Sequence, residues 1–266
     1  MSSKRHKIIY LGLALTLLLG LIIGGKLSAQ ANQTLKIGML AHDQPLSYQS
    51  KQKVRGANAV LARALGQQLD RPVTIVPVQT KRQLQNKLRE GQLDLALGAF
   101  TQTKHFQQTK PVFYVRNMLF RRGDNKKRSV EKLAGHSVGM LKNGSQAELL
   151  AQLEVKAKRY RTLPDLVQAL KQKKISAAVV TEPQYTKYLQ KHPELVSAKD
   201  PADEIQTAQI LHRISGPEVT AQKVLGLTYK DKHLLRQVEH ALNQLRQAGS
   251  LTQISLKYFK KDISQE

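Results

Sequence analysis

The chain has 266 residues and a formal net charge of +24, with 8 Tyr, 5 Phe, no Trp and no Cys. A chain of this length can bury a sizeable core without disulfide or metal staples, so the missing cysteine excludes disulfides, thiolate chemistry and thioether lipidation without threatening the fold. The eight histidines form no His-x-x-x-His or Glu-x-x-His pair, and neither a Gly-x-Ser-x-Gly elbow nor a phosphate loop is present, so no metal, no cofactor and no catalysis are expected.

Residues 1–31 read as a targeting segment. Lys4, Arg5 and Lys7 form a positive start, the stretch from Ile8 to Gly25 carries no charge, and Lys26 to Ala31 supplies a small-residue exit. The apolar stretch is also about as long as the roughly 18 residues that a membrane span needs. Two readings therefore stand: a signal peptide cleaved after Ala29-Gln30-Ala31, or an uncleaved anchor. In both, the basic start places the remainder outside the cytoplasm, secreted or at the cell surface. Leu27-Ser28-Ala29 precedes Gln30 and not a cysteine, so the chain is not a lipoprotein.

Without residues 1–31 the charge is still about +20, because only Lys4, Arg5, Lys7 and Lys26 are removed and no acid. Nucleic acid is not the expected partner: the chain reads as exported, aromatics are scarce and no nucleic-acid motif is present. Anionic lipid headgroups or wall polymers suit such a surface better, as does a plain solvated surface adapted to acidic surroundings.

The exported part reads as alternating strands and helices. Thr34 to Leu40 is a first strand, followed by a loop from Ala41 to Gln44 before Pro45. Helices over Gly56 to Leu69 and Thr80 to Arg89 flank a β-branched strand, Val73 to Val78. Gly91-Gln92-Leu93-Asp94-Leu95-Ala96-Leu97-Gly98-Ala99-Phe100-Thr101-Gln102-Thr103 reads as a short buried strand ending in a small-residue turn and two hydroxyls, a place where backbone amides can approach a ligand closely. This β-α-β-α-β order implies a parallel sheet. Val112 to Arg121 is a further strand, and Arg122-Gly123-Asp124-Asn125 is a turn cluster expected to form a hinge.

A second unit follows. Ser137 to Leu141 is a strand, and Asn143-Gly144-Ser145 turns into a helix with Ser145 as cap and Glu148 three residues on. A strand over Val155 to Tyr160, a helix over Pro164 to Gln172, a buried strand over Ile175 to Val180 and a helix opened by Pro183 complete it. Residues 194–218 fit no element. Val224 to Tyr229 is a strand, and Asp231 to Ala248 is a long helix ended by Gly249. The fold class is therefore α/β with two lobes, each a mostly parallel sheet flanked by helices: a discontinuous lobe 1 (32–122 and 219–266) with lobe 2 (123–218) inserted.

Six segments in order carry a resemblance over roughly residues 34–262. They are Leu35-Lys36-Ile37-Gly38 with Pro45-Leu46-Ser47-Tyr48; Arg55-Gly56 with Val60 to Gly66; Leu88 to Asp94 with Gly98 to Thr103; Leu133-Ala134-Gly135 with Val138-Gly139 and Gly144-Ser145; Leu166 to Leu170 with Ala178 to Glu182; and Gly226-Leu227 with Leu242, Leu245, Gly249, Leu251, Ile254, Tyr258 and Phe259. Together they resemble the family 3 extracellular solute-binding proteins, the capture subunits of polar amino-acid ABC importers, with the type II periplasmic-binding-protein fold. The resemblance implies a small polar solute, an amino acid or derivative, held between the lobes of a monomer and delivered to a membrane permease.

It also implies a site, from which this chain departs. Members that bind α-amino acids place an arginine after Thr-x-Thr to fork the carboxylate; here Lys104-His105-Phe106-Gln107-Gln108 follows Thr103. The lobe 2 aspartate that holds the ammonium is Thr181, beside Glu182; the acid ending the first strand is Leu40, and the aromatic lid is Asp43. Ala99, Phe100, Thr101, Thr103, Gly144, Ser145 and Gln146 offer amides and hydroxyls, with Tyr48 on the Pro-aromatic loop. Lys104, His105 or Lys142 would replace the missing guanidinium, and Asp43 or Glu182 would take the ammonium. Two other roles stay open on the residues alone: a basic surface-interaction protein with a decayed ligand site, and a sensor module tethered by an uncleaved N-terminal helix.

Overall fold

The computed structural model describes residues 33–100, 105–142, 144, 146–197, 204–214 and 221–265. The targeting segment, Thr101, Thr103, Lys104 and Ser145 lie outside the described residues. Among the described residues no helix is long and apolar enough to cross a membrane.

Lobe 1 opens with β1 (Leu35–Leu40), then a small antiparallel meander of β2 (His42–Asp43), β3 (Ser47–Ser50) and β4 (Lys53–Arg55). Next come α1 (Ala57–Gln68), β5 (Val73–Val78), α2 (Lys81–Arg89) and β6 (Leu95–Ala99). Strand β1 lies between β5 and β6 and runs parallel to both, with Ile37 beside Ile75 and Leu95. The pleat of β6 sends Leu95, Leu97 and Ala99 to one core and Ala96 to the other. Helix α2 starts where the sequence says it should: Thr80 accepts from the Gln83 amide at 3.2 Å while Gln83 accepts from the Thr80 amide. Asp94 is structural, its Oδ2 accepting from the Lys36 amide at 2.7 Å.

After β7 (Gln107–Gln108) the chain enters β8 (Phe113–Arg122), the strand common to both lobes. Lobe 2 then adds β9 (Ser137–Leu141), α3 (Ala147–Gln152), β10 (Lys156–Tyr160), α4 (Leu163–Lys171), β11 (Ala177–Thr181), α5 (Glu182–Lys191), α6 (Glu204–Gln209) and β12 (Leu211–Ile214). Its strands lie in the order β10-β9-β11-β8, with β12 also on β8. The chain returns through β13 (Ala221–Thr228), α7 (Lys232–Gln247) and α8 (Ser250–Phe259). Helix α7 is capped by Asp231, which accepts from the Leu234 amide at 2.8 Å.

The point where β8 changes lobes differs from the expectation. Phe113 to Arg116 pair with β13, whereas Asn117 to Phe120 pair with β11. The crossing is thus at Arg116–Asn117, and the division expected after residue 122 falls inside lobe 2. The turn at Arg122–Asn125 is formed as expected, with the Asn125 amide donating to Arg122 O. Arg122 donates to both Asp124 carboxylate oxygens at 2.8 Å and holds that carboxyl down at about 2. Asn125 Nδ2 donates to Ser176 O at 2.6 Å. Three further corrections follow: the loop after β1 carries the meander, residues 194–218 contain α6 and β12, and α3 begins at Ala147 with Gln146 as N-cap and no side-chain capping bond.

The meander is fused to α1 by backbone alone. Pro45 O and Leu46 O accept from the Ala57 and Asn58 amides, satisfying two first-turn donors. Gly56 makes this possible at φ 111, where a Cβ would stand 2.4 Å from Leu46 O and 2.8 Å from Pro45 O. Gly91 has φ 69 but open space around it. In urea denaturation Gly91→Ala is expected to lose about 1–2 kcal/mol, the left-handed cost alone. Gly56→Ala is expected to lose at least about 1 kcal/mol more, from overpacking against rigid backbone. Equal losses would show that the contact at Leu46 is relieved at no cost.

Candidate functional site

Several of the expected residues sit at strand ends, the usual place for ligands in open α/β sheets. On the lobe 1 side β1 ends at Leu40 and the chain turns directly into β2, carrying Asp43. Its side chain is 6% exposed, and burial raises the carboxyl to about 6 against the pull of Lys81. A buried acid with a shifted proton affinity at a strand end marks a functional candidate. Ala99 ends β6, and Phe100 follows it. The Phe100 ring belongs to the apolar cluster of Leu40, Val78 and Phe106, so only its backbone is available to a ligand.

On the lobe 2 side Gln146, Thr181 and Asn117 meet. Thr181 of β11 is the register partner of Asn117 in β8. Gln146 Nε2 donates to Asn117 Oδ1 at 3.3 Å, and Gln222 Nε2 donates to the same oxygen at 2.7 Å. Thr181 is 3% exposed, and its hydroxyl finds no partner among the described residues. Such an orphaned hydroxyl is a group that a bound ligand can satisfy. Gly144 allows the approach of this loop, since a Cβ there would stand 2.3 Å from Gln146 Oε1.

Asn117 and Gln222 are absent from the expected set. Their signal was slight: a single amide inside the apolar run Phe113-Tyr114-Val115-Arg116-Asn117-Met118-Leu119-Phe120, and a polar residue opening β13. Other expected residues sit elsewhere. Glu182 is bonded to Lys261 Nζ, an ion pair joining α5 of lobe 2 to the segment after α8, so its carboxylate already has a cation and is a poor receptor for an ammonium. Lys142 and His105 are exposed. Tyr48 is half-buried in a cleft of about 560 Å³ between the lobes, which Gln44, Pro45, Glu182 and Gln184 also line. The expected anion site at a helix N-terminus loses force, because α3 spans only six residues.

Residues 35–261 match the model of the bacterial extracellular solute-binding proteins, family 3. The chain belongs to this family. It is 22% identical over 278 residues to the probable amino-acid-binding protein YxeM of Bacillus subtilis (strain 168), covering 100% of this chain and 99% of that protein. Its fold is similar to that of the arginine-, lysine-, histidine-binding protein ArtJ of Geobacillus stearothermophilus, with a TM-score of 0.67 and 18% identity over 86% of this chain and 96% of that one. The substrate-binding protein of an amino acid ABC transporter gives a TM-score of 0.66 and 17% identity over 86% of this chain and 100% of that one. The two-lobed α/β architecture is thus that of periplasmic binding proteins.

Asp43 yields a pH test. Its carboxyl binds a proton more readily folded than unfolded, at about 6 against an ordinary 3.8, so stability falls as pH rises through that window and stays reduced above it. Two pKa units correspond to about 3 kcal/mol as an upper bound. Asp43→Asn is expected to be more stable than the native chain at pH 7 by on the order of 2 kcal/mol, with the slope between pH 4 and 6 flattened. Urea denaturation at pH 4, 5, 6 and 7 checks this; an unchanged slope would place the proton elsewhere.

Proposed function

We propose that this family 3 chain is the extracytoplasmic capture component of an ABC importer, that its solute is an amino acid or a close derivative, and that the N-terminal segment exports it. The observation that carries the proposal is the buried Asp43 carboxylate at the lobe 1 strand end. A carboxylate in that environment is a standing liability to the fold, since an unneutralised buried charge costs stability. A ligand ammonium offsets that cost. The unpaired Thr181 hydroxyl and the Asn117 amide cluster on the other lobe supply polar groups of the kind such sites use for orientation.

Capture on this reading is a population shift. A solute that touches both lobes favours the closed arrangement by its differential affinity, and motion centres on Arg116–Asn117 and the return into β13. The closed form is the one that a permease would receive. The reading assigns no catalysis, and it is preferred over a decayed ligand site because decay has no reason to keep Asp43 buried.

A thermal-shift screen of the full chain against the amino acids tests this. A ligand at 100 times its Kd adds about 2.7 kcal/mol, which for a chain of this size raises Tm by roughly 5 °C or more. A salt-tolerant rise with one or a few amino acids is expected, and Asp43→Asn should weaken that ligand about tenfold or more, as loss of a charge-assisted bond does. A flat response to every amino acid would count against the assignment.

A further inference from the structure

Beside the strand-end site lies a second, strongly basic concavity that the solute-binding reading does not use. A cavity of about 380 Å³ is walled by Lys53, Arg55, Arg63 and Lys257, with Tyr48 and Tyr258. The 560 Å³ interlobe cleft shares Tyr48, Lys257 and Tyr258 with it, and adds Lys187, Lys260 and Lys261. The two spaces adjoin along these three shared walls and together make up a basic groove. It runs from the meander and α1, across α8, to α5 of the other lobe. Among the described residues seven cations line it against one acid, Glu182, which Lys261 already neutralises. Lys53, Arg55, Lys187 and Lys260 have no ion-pair partner among the described residues.

Like charges gathered in a concavity repel one another and stay together only at a cost, which a bound anion removes. A single small anion needs two or three donors, far fewer than this groove holds. Two guanidinium forks and five ammonium groups suit a chain of repeated phosphates, because arginine pairs two oxygens of one phosphate and lysine serves as a point charge for the next. The phenol rings of Tyr48 and Tyr258 and the amides of Gln44, Gln184 and Gln190 add uncharged contacts between those charges. A flat bilayer face cannot follow cations that line a cleft wall, whereas a flexible strand can lie along it.

We propose that this groove binds a linear phosphate polymer, and that the polymer bridges the two lobes. The site is separate from Asp43 and stands whether or not the solute is an amino acid. Because the groove has walls from both lobes, occupancy favours one arrangement of the lobes over others, and by linkage couples to solute binding.

The test uses the full chain and inorganic polyphosphate of defined length, with binding followed by thermophoresis at several salt concentrations. One variant combines Arg55→Gln, Arg63→Gln and Lys257→Gln. A control removes the same charge from the exposed edge strand β10 by Lys156→Gln, Lys158→Gln and Arg159→Gln. The groove variant is expected to bind about tenfold more weakly or worse, with a salt slope shallower by about two, while the control stays within about twofold. Arg63 also donates to Ala59 O and Val54 O. Should that variant lose its cooperative melt, Lys187→Gln with Lys260→Gln on the opposite wall gives the same reading. Equal losses in groove and control variants would overturn the proposal, reducing the effect to net charge. So would orthophosphate competing as well as the chain at equal phosphate, or groove-dependent binding to phosphatidylglycerol vesicles without binding to polyphosphate.

Discussion

Strand β8 is a member of two sheets at once, and most of the architecture follows from that sharing. Its first half contributes Phe113 and Val115 to the lobe 1 core, and its second half contributes Met118 and Phe120 to one lobe 2 core and Leu119 to the other. Both halves are held by burial of large side chains and by continuous ladders. The change of partner falls between two adjacent residues, Arg116 opposite Ala221 of β13 and Asn117 opposite Thr181 of β11. Asn117 stands at that change, and its one side-chain oxygen gathers Gln146 from lobe 2 and Gln222 from the returning strand. A polar node at the crossing ties the lobe 2 binding loop to the joint between the lobes.

The meander after β1 has a different role. Two to four residues per strand cannot stand alone in water, and this one survives because Gly56 lets its carbonyls cap α1. That junction puts Asp43, Pro45 and Tyr48 in fixed positions relative to the lobe 1 sheet. The side chains of Ser47 and Asn58 are buried beneath it without hydrogen-bond partners among the described residues, so the junction is held there by backbone geometry more than by side-chain bonding.

What the sequence made legible follows from how local each signal is. Helices α2 and α4 were readable because their caps and apolar spacing lie within a few residues: Thr80 with Gln83, and Thr162 with Asp165. Strands β1, β6 and β11 were readable as short apolar runs. The meander, α6 and β12 were not, since elements of two to six residues carry no period. The change of pairing partner along β8 was not legible, because it depends on residues about sixty and a hundred positions away. The same distance hid the site's errors. Glu182 looked available until Lys261, 79 residues on, took it. Asn117 looked like a strand residue because its amide partners come from other elements. Gln146 and Thr181 could be named early because the family pattern marks them, but their meeting through Asn117 could not.

The electrostatics of the molecule point in two directions, and the balance of magnitudes explains why. A chain with a net charge of +24 should lower the proton affinity of its acids, and it does so at Asp124, where Arg122 is in contact. At Asp43 burial outweighs the attraction of Lys81, and the proton affinity rises instead. The long-range field of exposed lysines is screened within about 10 Å in physiological salt, so it cannot rescue a desolvated carboxylate. Only a cation brought into contact can. With its carboxyl at about 6, Asp43 is mostly ionised at neutral pH and half-protonated near pH 6. The basic groove outside follows the opposite rule, since its charges are exposed, repel one another and respond to salt. One chain thus carries an acid that is tuned by burial and a cationic wall that is tuned by screening.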